Sequence, residues 1–192
     1  LNPGQINLVV GASGSGKSTL AQVLMGFIKP SSGEVLISTQ IGTFPLNEIN
    51  IESLRAKISW LPQEPKFPIA TVAQILRHAY PSASDSDLIS VLSKVDLDIV
   101  SLPNGLRTEI GTIKNPLSLG QLRKIALARA LLKDAQFIIM DEPTASIDDI
   151  SETAIRKVIE DESKIGKGIL LITHRQAMIE GFQQLTDMAR VR

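Results

Sequence analysis

Short apolar runs alternate with segments of helical periodicity along the chain. Apolar runs bounded by glycine or polar residues are typical of buried strands, whereas apolar residues spaced three and four apart are typical of helices. Strands followed by helices at both ends of the chain predict an α/β core, in which a parallel sheet carries helices on both faces. The predicted strands are INLVV (6–10), GEVLIS (33–38), KISWLP (57–62), QFIIMD (136–141) and GILLIT (168–173), and the helices of the two ends cover residues 17–28, 150–164 and 175–182.

The middle of the chain is predicted to be helical. Two helices, over residues 71–80 and 86–95, are separated by PSASD, whose proline and small polar residues indicate a break. Ser84 or Asp85 is the expected cap of the second helix. A third helix, LGQLRKIALARALLK (119–133), is predicted to be amphipathic.

This pattern predicts one domain over residues 1–192. Its core comprises about residues 1–63 and 135–192, and a helical subdomain of about residues 64–134 is inserted into that core. The chain starts at Leu1 rather than at methionine and enters an apolar strand almost at once. We therefore expect an upstream part of a longer parent chain, which could include membrane segments.

Composition narrows the possible functions. Basic and acidic residues number 20 each, so the chain lacks the basic excess typical of nucleic-acid binders. The absence of cysteine excludes disulfides, thiolate metal sites and a cysteine nucleophile. No apolar run is long enough to span a bilayer.

A glycine-rich loop follows the first strand and fits the pattern G-x-x-x-x-G-K-[ST]. Its glycines allow backbone N–H groups to curl around phosphate oxygens, and the next helix presents its positive end to the same anion. Lys17 would bridge the β- and γ-phosphates of a nucleotide, and the Ser18 hydroxyl would ligate Mg²⁺. The alternative is a flexible turn capped by serine. The loop consists of Gly11, Ala12, Ser13, Gly14, Ser15, Gly16, Lys17, Ser18 and Thr19.

Two carboxylates, Asp141 and Glu142, stand at the end of the strand QFIIMD. Neighbouring strand residues point to opposite sides, so the two acids can have different roles. Asp141 would reach the water shell of Mg²⁺, while Glu142 would orient and deprotonate an attacking water. Two solvated acids that open a turn are the alternative, although ligands of such sheets bind at the carboxyl ends of the strands.

Four further stretches complete a family pattern. In chain order they are WLPQEP with Gln63, LSLGQ (117–121), SIDD (146–149) and ITHR with His174. Together with the phosphate loop and the paired acids, these motifs resemble the nucleotide-binding domain of ATP-binding cassette (ABC) proteins. The resemblance implies a P-loop NTPase (RecA-like) parallel-sheet core with an inserted α-helical subdomain.

The resemblance also implies roles for single residues. Gln63 would offer its amide oxygen to Mg²⁺ or the water, and His174 would hydrogen-bond the γ-phosphate and Glu142. Asp148 would contact a partner subunit, although an acid in that place is also an ordinary helix cap. The implied catalytic residues are Glu142, His174, Lys17 and Gln63; the implied Mg²⁺ ligands are Ser18, Gln63 and Asp141; the implied nucleotide-binding residues outside the loop are Gln63, Asp141, Ser118, Gly120 and Gln121.

For the whole protein, the resemblance implies an ATPase that powers transport across a membrane. Two such domains would pair head to tail around ATP and Mg²⁺, on the cytoplasmic face of the membrane and attached to transmembrane domains, with no nucleic acid bound. SLPNGLRTEIG (101–111) and the arginine after His174 resemble exporter-type domains. The stretch TEIGTIK (108–114) departs from the exporter segment that contacts the membrane domain.

The residues leave two alternatives open. One is a soluble ABC ATPase that acts on nucleic acid or ribosomes, which the balanced charge disfavours. The other is a partly degenerate, regulatory nucleotide-binding module, because Leu119 replaces the first glycine of the LSGGQ-type signature. Ser118 and Gln121 have the spacing of a capping box, so the signature is also predicted to start a helix.

Overall fold

The computed structural model describes residues 1–112, 116–180, 182 and 184–187. The end of TEIGTIK and residue 181 of the last predicted helix lie outside these residues. In chain order the strands are β1 (Ile6–Val10), β2 (Leu36–Thr39), β3 (Gly42–Pro45), β4 (Ile58–Leu61), β5 (Ala70–Thr71), β6 (Glu109–Ile110), β7 (Phe137–Asp141), β8 (Gly168–Ile172) and β9 (Gln184–Asp187), and the α-helices are α1 (Lys17–Leu24), α2 (Ile51–Ala56), α3 (Val72–Arg77), α4 (Asp85–Lys94), α5 (Leu119–Leu132), α6 (Asp149–Lys164) and α7 (Gln176–Ile179).

A five-stranded sheet with the order β4-β7-β8-β1-β9 forms the centre of the described structure. All four strand pairs in it are parallel. The predicted α/β class with a parallel sheet is therefore confirmed. Because β4, β7, β8 and β1 run in the same direction, their carboxyl ends lie at one edge of the sheet, where parallel sheets bind ligands.

Alternate residues of the central strands pack on opposite faces of the sheet. Leu8, Ile138 and Ile169 belong to one buried cluster, which continues into α3, α4, α5 and α6. Val9 and Ile139 belong to a second cluster, on the side of α1. This period-two division places helices on both faces, as the sequence pattern predicted. The boundary between a core and a helical subdomain stays a prediction.

Several local predictions were wrong. The strand predicted at GEVLIS is present but begins at Leu36 rather than Gly33, and it pairs with β3 in a separate antiparallel hairpin, whose strands are mostly exposed. The first helix ends at Leu24 rather than near residue 28, because Gly26 takes a positive φ of 66° with Ile51 packed against it. Helix α2 was missed, although Asn50 caps it through the Ser53 N–H.

Helix α5 lies where it was predicted, but it is not amphipathic. Its residues from Ile125 to Ala128 are all buried in succession, because the helix packs against α3 and α4 as well as β4. A stripe of apolar residues is expected only where one side of a helix faces water. Among the described residues, no helix combines the length and apolar character needed to cross a membrane.

Candidate active site

The phosphate loop connects β1 to α1, as the sequence predicted. Gly14 and Gly16 adopt positive φ angles of 76° and 94°, which glycine tolerates at no steric cost. Gly16 is the residue before α1 and has no side chain, so no side chain caps the first N–H groups of the helix. The Lys17 ammonium donates to the carbonyls of Gly11 at 2.8 Å and Ala12 at 2.9 Å. The loop thus presents a cation and a helix N-terminus together.

A cleft of about 510 Å³ opens over this loop. It gathers the loop with residues that follow three different strands, although they are far apart in the sequence. This convergence matches the predicted set, apart from Ser15 and the signature residues, which are not among the lining residues. The lining residues are Gly11, Ala12, Ser13, Gly14, Gly16, Lys17, Ser18, Thr19, Gln63, Asp141, Glu142 and His174.

Asp141 ends β7 and is almost fully buried. Burial raises the pKa of its carboxyl above the ordinary value, while a hydrogen bond with Ser18 and the charge of Lys17 act in the opposite direction. Ser18, Asp141 and Gln63 line the same cleft and carry a hydroxyl, a carboxylate and an amide. These hydroxyl, carboxylate and amide oxygens are the hard ligands that Mg²⁺ prefers, so the residues fit the predicted ion.

Glu142 leaves the strand in an unusual backbone conformation. Its φ is 53°, a left-handed value that few residues other than glycine adopt. Its N–H donates to the Ile172 carbonyl at 2.8 Å, which continues the pairing with β8. Its carboxylate is buried, 2.6 Å from Nδ1 of His174 and 3.4 Å from the Thr173 hydroxyl, which donates to it. The backbone and the carboxylate are thus held separately.

His174 follows β8 and stands at the mouth of the cleft. Its side chain is 70% exposed, whereas the side chain of Glu142, its partner, is 6% exposed. An imidazole placed in this way can contact a ligand and the buried carboxylate at once. The contact fits the predicted roles of Glu142 as a general base and of His174 as its partner, which stay predictions.

The signature residues start α5, outside the cleft. Ser118 accepts from the Gln121 N–H at 3.1 Å, and Gln121 accepts in return from the Ser118 N–H at 2.9 Å, so the predicted capping box is confirmed. A Cβ on Gly120 would lie 2.9 Å from the Ser146 carbonyl, which explains the requirement for glycine there. Leu119 is 58% exposed.

Two arginines join these elements, and sequence reasoning gave neither of them this role. Arg175 donates to the carbonyls of Thr144 and Ile147 and pairs with buried Glu152 at 2.6 Å, which fixes the turn before α6. Arg123, buried in α5, reaches the backbone of the cleft. Arg175 belongs to the ITHR stretch, which was noted only for its resemblance to exporter-type domains, whereas Arg123 lies outside the named motifs, two residues after the signature.

Asp148 has the structural role that was the alternative to a partner contact. Its side chain accepts from the Ser151 N–H and thereby caps α6. The hydrogen bonds with Ser151 keep the pKa of Asp148 below its ordinary value. The contact with a partner subunit stays a prediction.

Known proteins are similar to this chain in sequence and in fold. The family model described as ABC transporter matches residues 1–145. The ABC multidrug transporter mdr2 of Aspergillus fumigatus is 36% identical over 90% of this chain and 21% of its own length. The glutathione/L-cysteine transport system ATP-binding/permease protein CydC of Escherichia coli is 35% identical over 98% of this chain and 32% of its own.

A solved structure has a similar fold. It is described as a bacterial Atm1-family ABC exporter with ATP bound; it superposes with a TM-score of 0.87 at 27% identity, covering 96% of this chain and 32% of that one. The chain thus spans between about a fifth and a third of the length of these relatives. The chain belongs to the ABC transporter family, in which it is a nucleotide-binding domain of the exporter-like kind.

Proposed function

We propose that this domain binds ATP in the cleft and hydrolyses it to power transport across a membrane by a larger protein. The observation that carries the proposal is the convergence of Lys17, Ser18, Asp141, Glu142 and His174 on one cleft. Phosphate release by the full-length protein from ATP and Mg²⁺ tests it. Release no faster than from a Lys17→Ala variant would contradict the assignment.

The protein groups divide the chemistry between them. Phosphate oxygens displace the two loop carbonyls as partners of Lys17, whose ammonium then offsets the charge that develops on the β- and γ-phosphates. Ser18, Asp141 and Gln63 would hold Mg²⁺, which would supply positive charge that offsets the charge of the phosphates. Glu142 orients a water in line with the β–γ bond and accepts its proton, while His174 keeps that carboxylate in place.

A second nucleotide-binding domain completes each site in this proposal. The start of α5 lies outside the cleft of its own chain, so Ser118, Gly120 and Gln121 are free to meet the nucleotide of a partner packed head to tail. The positive end of α5 favours contact with a γ-phosphate. ATP would hold the two domains together and hydrolysis would release them, which shifts the population between closed and open pairs.

We place the domain at the cytoplasmic face of a membrane, coupled to transmembrane domains. The support is the match along the chain to the Aspergillus multidrug transporter and the ATP-binding/permease protein CydC. The partner is either a second copy of this chain or another cassette. The likeness to a solved ABC exporter supports export rather than import.

The capping role of Ser118 and its proposed role at the partner's ATP can be separated. We expect Ser118→Ala to lower the free energy of unfolding by about 1 kcal/mol through loss of the cap, and also to lower ATP hydrolysis severalfold. Ser84→Ala is the matched control, because Ser84 forms the same capping box with Asp87 at the start of α4, outside the cleft. Denaturant unfolding and phosphate release measure both. Equal hydrolysis by the two variants would mean that Ser118 only caps the helix.

Leu119 tests the alternative of a regulatory module with little catalysis. Its exposed side chain stands beside Ser118 and Gly120, in the proposed approach to the partner's phosphate. We expect Leu119→Gly to raise the turnover of the full-length protein by relieving this obstruction. Unchanged turnover would identify Leu119 as a tolerated side chain that points away from the nucleotide.

A further inference from the structure

A buried arginine connects the signature helix to two segments that line the cleft. Arg123, which is 5% exposed, donates from one terminal nitrogen to the Glu142 carbonyl at 2.6 Å and from the other to the Gln63 carbonyl at 2.7 Å. Its Nε is buried and has no hydrogen-bond partner. Both contacts go to backbone rather than to side chains, so Arg123 determines where two chain segments lie.

The Glu142 contact fixes a conformation that the residue alone disfavours. A positive φ of 53° is costly for glutamate and persists only where the surroundings hold it. The Glu142 N–H donates to the Ile172 carbonyl, and the Glu142 carbonyl accepts from Arg123 at 2.6 Å and from the Ala145 N–H at 3.2 Å. These hydrogen bonds restrain both peptide groups of Glu142, and hence the direction in which its carboxylate leaves the backbone.

The Gln63 contact restrains a second segment that lines the cleft. Gln63 lies two residues beyond the end of β4, in a stretch with no regular secondary structure. Its carbonyl is held by Arg123, and the residue lines the cleft. One guanidinium, with two donors in a rigid fork, therefore sets the spacing between Gln63 and Glu142.

We propose that Arg123 is a positioning residue for ATP hydrolysis, which holds the Glu142 base and Gln63 at a fixed separation and ties both to helix α5. This inference rests on the proposed function of the cleft. Ser118 and Gly120, at the start of the same helix, would contact the partner domain in the proposed function. That contact would fix the position of the helix start, and Arg123 lies about one turn further on. Arg123 does not touch the substrate.

Substitution by lysine separates charge from geometry. Lysine keeps the positive charge near Glu142, Asp141 and Glu64 but lacks a fork that can hold two carbonyls. We expect Arg123→Lys in the full-length protein to lower kcat for ATP at least about tenfold, while KM changes by less than about threefold. Arg129→Lys is the matched control, because Arg129 lies on the same helix, is partly buried and packs on the Phe67 ring.

The interaction with Glu142 gives a second readout, which a merely structural role would not affect. In a Glu142→Gln background, Arg123→Lys should cause no further loss of hydrolysis, since the base that it positions is already gone. A separate, multiplicative loss would contradict the inference. So would a kcat equal to that of Arg129→Lys in the otherwise unchanged protein.

The test distinguishes the inference from the function on which it rests. If Glu142→Gln abolishes hydrolysis and Arg123→Lys does not slow it, only the positioning role of Arg123 is wrong. If Glu142→Gln hydrolyses ATP normally, the proposed base itself is wrong. Melting temperatures of the lysine variants show whether each is folded, and a folded Arg123→Lys with a normal kcat overturns the inference.

Discussion

Replacing Glu142 with glutamine is expected to lower ATP hydrolysis by about 100-fold or more while leaving ATP binding intact. The carboxamide has nearly the same shape, so it keeps a contact with His174, but it cannot accept a proton from water. Because the phosphate loop and Lys17 are untouched, nucleotide affinity should be retained and ATP should hold the paired domains together. Phosphate release and equilibrium ATP binding measure the two effects on the same preparation.

A control for Glu142→Gln should remove a carboxylate without touching the cleft. Glu160→Gln does so, because Glu160 lies in α6, where its partly exposed side chain forms an ion pair with Arg156. We expect it to hydrolyse ATP at the normal rate. Near-normal turnover by Glu142→Gln would exclude Glu142 as the base, and lost ATP binding would mean that the carboxylate acts on binding instead.

The second large effect is expected for Lys17→Ala, which should lose most ATP binding. The Lys17 ammonium lies over the loop, 2.8 Å and 2.9 Å from two loop carbonyls, and within the described part of the chain no other lysine or arginine lines the cleft. Its removal leaves the phosphates without a direct cationic partner from this chain's loop. A titration with ATP and Mg²⁺ should show at least about a tenfold weaker Kd, the equivalent of 1.4 kcal/mol.

Lys157→Ala serves as the matched control, since Lys157 is exposed on α6 and lies outside the cleft. It should bind ATP normally. A melting curve must accompany both titrations, because Lys17 also supports the loop itself. Unchanged affinity in a folded Lys17→Ala variant would count against the phosphate-loop assignment.

Much of the fold followed from the sequence because its parallel strands are buried on both faces. Residues 137–140 and 168–172 form continuous apolar runs, and every residue of the second run is buried. The exposed hairpin of β2 and β3 lacks such a signal, and its place outside the main sheet could not be predicted. Helix α5 was located correctly, but burial on several sides removed the periodicity expected of it.

The candidate site, like the fold, could be predicted only in part. Residues in recognised motifs converge on the cleft as expected, because the ends of parallel strands meet at one edge of the sheet. The conformation of Glu142 and the two contacts of Arg123 depend on long-range packing between α5, β7 and the segment after β4. A contact to a backbone carbonyl does not require a particular residue at the contacted position. Such contacts therefore leave no short motif that sequence spacing could reveal.

The central claim is that each ATP site combines the cleft of one chain with the signature of another. Pairs containing two differently tagged copies of the full-length chain test it directly. In one pair, Glu142→Gln is placed on one copy and Ser118→Arg on the other; in the second pair, both substitutions are on the same copy. Phosphate release is then measured for each purified pair.

With head-to-tail sites, the first pair has both defects in a single site and keeps the other intact, so it should hydrolyse ATP at about half the normal rate. The second pair has one defect in each site and should be nearly inactive. The reverse result, with activity only when both substitutions share a copy, would show that each chain uses its own signature and would contradict the account.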